Sequence, residues 1–155
     1  MFDALTALEQ GVAIGLMDPV EDKLWLEIKH RTALDAERGT QDLNEEPNMA
    51  ADFHTLFVGL SRNRVLIDMH AQLMRRALVL NSVYQWGRDG CSLLKDHEKL
   101  LELIEKRQLR LARDNIARHY QHIVRSYDFE SAAPTNERSL VEALSPYLNR
   151  LTSPS

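Results

Sequence analysis

"KDHEKLLELIEKRQLRLARDNIARHYQHIVRSY", residues 95–127, decides the fold, because it reads as two amphipathic helices that turn back on one another near Gln108. In the first, Leu93, His97, Leu100, Leu101 and Ile104 recur at spacings of three and four, which places them on one stripe. In the second, Ala112, Ile116, His119, Tyr120 and Ile123 do the same. His97 lies 11 residues before the turn and His119 11 after it, so the two imidazoles sit at one level of an antiparallel hairpin, on its apolar side. Histidines standing where leucines are expected mark the centre of interest.

Working outward, the rest of the chain also reads as helix after helix, with no sustained period-two alternation that would make strands. The expectation is an all-α fold: an antiparallel helical bundle of about six helices, residues 2–127, plus a further C-terminal helix at about 136–151. The first helix spans about Phe2 to Leu16 and gives way to "DPVE", where Asp18, Pro19 and Glu21 suit a helix start. A second helix runs to about Arg38, and "RGTQDLNEEPN" is a loop by composition. Helix three carries Ala50, Phe53, His54, Phe57 and Leu60 on one face. After the break "SRN", helix four presents Leu66, Met69, Leu73, Ala77 and Leu80, and "GRDG" closes it. Helices five and six cover about Cys91 to Lys106 and Leu109 to Tyr127. The 155 residues are read as a single domain.

Composition narrows the function. The chain is 44% hydrophobic and 27% charged, as expected of a folded globular protein. Its net charge of −4 argues against a broad grip on nucleic-acid phosphates. The lone Cys91 excludes an internal disulfide, and there is neither a signal peptide nor an apolar run of membrane-spanning length, so a cytoplasmic location is expected.

One inward histidine is ordinarily a hydrogen-bonded core residue. Three inward histidines, His54, His97 and His119, on three helices are a candidate metal site, since facing helices of a bundle can aim imidazoles at one point. His70 lies eight residues after Arg62 as His54 lies eight before it, and either lines a pocket or packs between helices. His30 and His122 read as surface residues.

The ordered segments "DFHTLFVGLSRNRVLIDMHAQL" and "DHEKLLELIEKRQLRLARDNIARHYQHI", with "ALEQGVAIGLMDPVEDKLWLEI" before them, resemble the FCD ligand-binding domain of FadR-like regulators in the GntR family of bacterial transcription factors. The resemblance covers about residues 2–127. It implies a bundle that binds a small effector, often a carboxylate, near a metal held by one aspartate and three histidines, and that acts as a homodimer. Carried over by position, the histidines are His54, His97 and His119. The aspartate position holds Ala50, and Asp52, two residues before His54, falls on nearly the opposite side of the helix and is a poor substitute. Three imidazoles still suit Zn²⁺ or Ni²⁺ with an oxygen in the open position, and disfavour Mg²⁺ or Ca²⁺. Leu5 stands where family members often carry an arginine, which makes Arg76 the candidate carboxylate clamp. The winged helix-turn-helix through which the family binds DNA is absent from these residues.

The expected function is therefore effector sensing, not catalysis. Two alternatives stay open: a three-histidine metalloenzyme, disfavoured because Asp96 and Glu98 flank His97 and point away from its stripe, and a metal-free module whose histidines bond to each other and to Tyr120.

Overall fold

In the computed structural model, which describes residues 1–16, 23–38, 46–84 and 90–127, six helices follow in order. They are α1 (Phe2–Gly15), α2 (Lys23–Arg38), α3 (Glu46–Gly59), α4 (Arg64–Tyr84), α5 (Gly90–Glu105) and α6 (Leu109–Arg125), with no strand among the described residues. The expected start of the second helix at Asp18, the "RDG" after helix four and the C-terminal helix fall wholly or largely outside those residues.

The helices close into a ring. α1 packs on α6, α6 on α5, α5 on α2, α2 on α3, α3 on α4 and α4 back on α1, while α3 also touches α1 and α5 across the middle. Each helix turns its apolar stripe to that centre: Leu5, Val12 and Ala13 from α1, Trp25 and Ile28 from α2, Phe53 and Phe57 from α3, Ala77 from α4, Leu93, Leu100, Leu101 and Ile104 from α5, and Ala112, Ile116, Tyr120 and Ile123 from α6. Burying a side chain such as Phe57, wholly inaccessible, contributes about 1.5–3 kcal/mol, so the stripes, more than the turns, hold the ring together.

Local signals set the ends. Asn63 caps α4, its Oδ1 accepting from the amides of Val65 and Leu66. α3 starts at Glu46, earlier than the composition of "NEEPN" implies, with Pro47 taking an early helical position that does not need its missing N–H. Both hairpin turns place an arginine in left-handed backbone, Arg62 (φ 51°) and Arg107 (φ 58°), where glycine would avoid about 1 kcal/mol of strain. Arg107 recovers something for it: its Nη1 donates to Leu16 O at 2.6 Å, tying the α5–α6 turn to the end of α1.

The α4 stripe is rotated from the expected one. Met69 is about half exposed, and His70, fully buried, takes the inward position between Leu66 and Leu73. The reason lies on α1, where a buried acid gives His70 a partner. No helix among the described residues is long and apolar enough to cross a membrane.

Candidate metal centre

His54 from α3, His97 from α5 and His119 from α6 meet in the middle of the ring, all buried. One nitrogen from each lies within 4.8 Å of the others. His54 Nε2 and His119 Nε2 are 3.2 Å apart, close to the roughly 3.3 Å edge of a tetrahedron of nitrogens around Zn²⁺ at ~2.05 Å. His97 stacks on Phe53 with ring centroids 3.9 Å apart and meets His54 edge-on, so its plane is held by packing. Its Nε2 is buried and has no hydrogen-bond partner, an arrangement that costs about 1–3 kcal/mol unless something accepts the nitrogen. The donor set fits a borderline transition ion: three imidazoles, no thiolate and no carboxylate among the converging atoms.

Burial disfavours the charged form of His97 and His119, and neutral imidazole is the form that binds metal. His97 is pushed well below its ordinary value by burial and by the neighbouring His119 and His54. His119 is lowered chiefly by burial, against the opposing pull of Asp96.

Behind the histidines lies an acid that the reading of the sequence did not single out as a site residue. Glu9 on α1 is wholly inaccessible. Its Oε2 is 2.9 Å from His54 Nδ1, and its Oε1 is 3.0 Å from His70 Nε2 and accepts from the Tyr120 hydroxyl at 2.5 Å. Burial pushes this carboxyl up, but the charge and hydrogen bond of His54, with those of His70, outweigh it and hold it at about 2. Tyr120 is raised far above the phenol range by burial and by Glu9, so it remains a donor. A glutamate inside the stripe Leu5, Val12, Ala13, Leu16 was the available signal: a charge in an apolar row needs a buried partner.

A second acid lies on the far side. Asp96 turns inward rather than away from the site, its Oδ2 3.4 Å from His119 Nδ1 and 3.5 Å from His122 Nδ1, in ion-pair range but off hydrogen-bond geometry. Glu98 is exposed, as are His30 and, in part, His122.

The remaining candidates stand apart from the cluster. Asp52 is exposed and pairs with Arg31 at 3.7 Å. Arg76 is exposed and does not line the cavity beside the histidines. His70 does not line it either, being a helix-interface residue bonded to Glu9. That cavity, about 20 Å³, opens next to His54 and His119 and is walled by Phe2, Met74, Ala77, Leu93 and Ile123, with Asn81 as a further polar group. Its volume matches a single water.

A ring of helices around a buried cluster of imidazoles is a helical bundle, and the comparison with family models agrees with that fold. The chain belongs to the FCD domain family, whose model matches residues 1–122, and FCD domains are regulatory domains of transcription regulators. Neither the curated proteins nor the solved structures contained a match.

Proposed function

We propose that this chain is the effector-sensing domain of a GntR-type transcription regulator, binding a small organic acid at a transition ion, zinc or nickel, held by His54, His97 and His119. The observation that carries the reading is the convergence of three buried imidazoles with one nitrogen, His97 Nε2, left without a partner. When bound, the ion would supply a Lewis-acid position for an effector oxygen. The chain's own part is to orient the imidazoles, exclude water with Phe53 and Leu93, and offer Asn81 as the second polar contact. A metabolite needs more than the present cavity, so its entry would push the half-buried α4 side chains Met74 and Leu78 outward. In a homodimer joined to DNA-binding heads, that shift of α4 would alter head spacing and hence operator affinity. Such a regulator would work in the cytoplasm, with no membrane partner.

Elemental analysis of untagged protein beside His97→Ala tests the reading, followed by zinc and nickel titration during thermal melting. Near-stoichiometric metal in the wild type, lost in the variant, with a melting rise on titration, is the expected result. No metal and no rise would favour the second reading, a metal-free binding module. The 3.2 Å bond between His54 Nε2 and His119 Nε2 supports that alternative, because it satisfies both nitrogens without an ion.

A further inference from the structure

We infer that Glu9 is the positioning carboxylate of the metal centre: by accepting the Nδ1 proton of His54 it fixes the tautomer that leaves Nε2 free to ligate, and it supplies the buried negative charge that three neutral imidazoles lack. The inference rests on the metal-binding reading above and goes beyond it, since Glu9 touches no ion.

Three observations carry it. First, an imidazole has one proton for two nitrogens when neutral, and the carboxylate oxygen at 2.9 Å from Nδ1 can only accept, so the proton sits on Nδ1. Nε2, the atom facing His119 at 3.2 Å, is then the lone pair. Second, Glu9 is itself held rigidly. His70 Nε2 and the Tyr120 hydroxyl both bond Oε1, which leaves Oε2 for His54, so the carboxylate plane is set from α4 and α6 before α3 meets it. Third, the position one helical turn before His54 is Ala50, and Asp52 is exposed and paired with Arg31, so neither position brings an anion to the cluster. A dication beside three neutral donors in a dry core is disfavoured without a countercharge, and Glu9 is the wholly buried anion one imidazole away. Asp96 stands in a similar relation to His119 Nδ1, but at 3.4 Å and without hydrogen-bond geometry it constrains that ring less.

The arrangement links α1 to the metal. Any ligand that turns the His54 ring pulls on Glu9, and through it on α1, His70 and Tyr120.

The test uses the whole chain with zinc as probe, reading two quantities. Nitrogen-15 spectra of the histidines in metal-free wild type report the His54 tautomer, and chelator competition reports zinc affinity for wild type, Glu9→Gln and the exposed control Glu102→Gln. Expected are a single Nδ1–H tautomer of His54 in the wild type, a mixture in Glu9→Gln, a roughly 10–100-fold loss of zinc affinity in that variant, and no loss in the control. Zinc bound equally by wild type and Glu9→Gln would overturn the positioning role while leaving the metal site standing. A wild type that binds no zinc would overturn the metal site, and this inference with it. Should Glu9→Gln fail to fold, the wild-type spectrum still decides, because an Nε2–H tautomer of His54 contradicts the proposal outright.

Discussion

The two sides of the histidine cluster are built differently. On the α1 side, Glu9, His54, His70 and Tyr120 form a connected set in which the carboxylate meets three donors, and none of their buried side-chain polar atoms lacks a partner. On the α5–α6 side, Asp96 Oδ2, His97 Nε2, Asn115 Nδ2 and His119 Nδ1 are all buried and without a hydrogen bond. One side is a completed scaffold and the other carries unused bonding capacity. A fold needs the first for stability, whereas the second makes sense in a site that receives something.

The largest effect should come from breaking the completed side. Glu9→Ala in metal-free protein leaves His54 Nδ1, His70 Nε2 and the Tyr120 hydroxyl without their shared acceptor and opens a cavity. A loss of about 3–5 kcal/mol is expected by denaturant unfolding. A loss under about 1 kcal/mol would mean that water replaces the carboxylate and that the hub is not structural.

His97→Ala on the open side should behave in the opposite way. It forfeits the stack on Phe53 but also removes an unsatisfied nitrogen, so these terms partly cancel and the metal-free protein should lose only about 1 kcal/mol. The zinc-induced rise in melting temperature should vanish in the same variant. A variant as damaged as Glu9→Ala, or one that still responds to zinc, would erase the distinction between the two sides.

Acid should separate the sides by pH. In metal-free protein kept in chelator, His97 and His119 have folded values below their ordinary 6.5, through burial first, so the unfolded chain takes up protons before the folded one does. Stability from these groups is complete above that ordinary value and falls as the pH drops below it, by up to about 1.4 kcal/mol per pH unit for each group. Glu9, lowered from 4.5 to about 2, contributes stability that is present above 4.5 and lost as the pH falls toward 2. Unfolding midpoints should therefore begin to decline near pH 6.5 and steepen below 4.5. Midpoints that stay flat between about pH 7 and 5 would show that the α5–α6 histidines are solvated rather than buried.

How much of this was legible follows from periodicity. The α5 and α6 stripes are buried as their spacing requires, and so are Phe53, His54, Phe57 and Leu60 of α3, because a 3.6-residue period reports a face directly. The three histidines were legible for the same reason. On α4 the misjudged position was Met69, which hydropathy favours over its neighbour His70, although the matching of His54 and His70 about Arg62 already allowed His70 to face inward. Only the partner on α1, 61 residues away, makes His70 the inward one. Asp96 was misplaced because the stripe argument treats a helix as having two faces, while α5 lies against both α2 and α6 and turns its flank to His119. The residues that orient the histidines were hidden by the same limit: periodicity says which residues face inward, not which of them meet.

The smallest effect should lie at the rim. Lys29 on α2 bonds Glu105 at the end of α5, joining two helices that also share apolar contacts, but both side chains are about half exposed. Solvent screens such a pair and its ordering entropy offsets much of the attraction, so Lys29→Ala should cost about 0–1 kcal/mol and leave zinc affinity unchanged. The stem of Lys29 also lies near the Trp25 ring, its Nζ 6.0 Å from the centroid, which is at the outer limit of a cation–π contact. A Lys29→Met variant, keeping the stem and dropping the charge, separates these: equal stability of the two variants assigns the small loss to charge, while a stable Met variant beside a weakened Ala variant assigns it to apolar cover over Trp25. A loss above about 2 kcal/mol in either would show that α2 is held by its rim and not by Trp25 and Ile28 in the core, contrary to the burial of those residues.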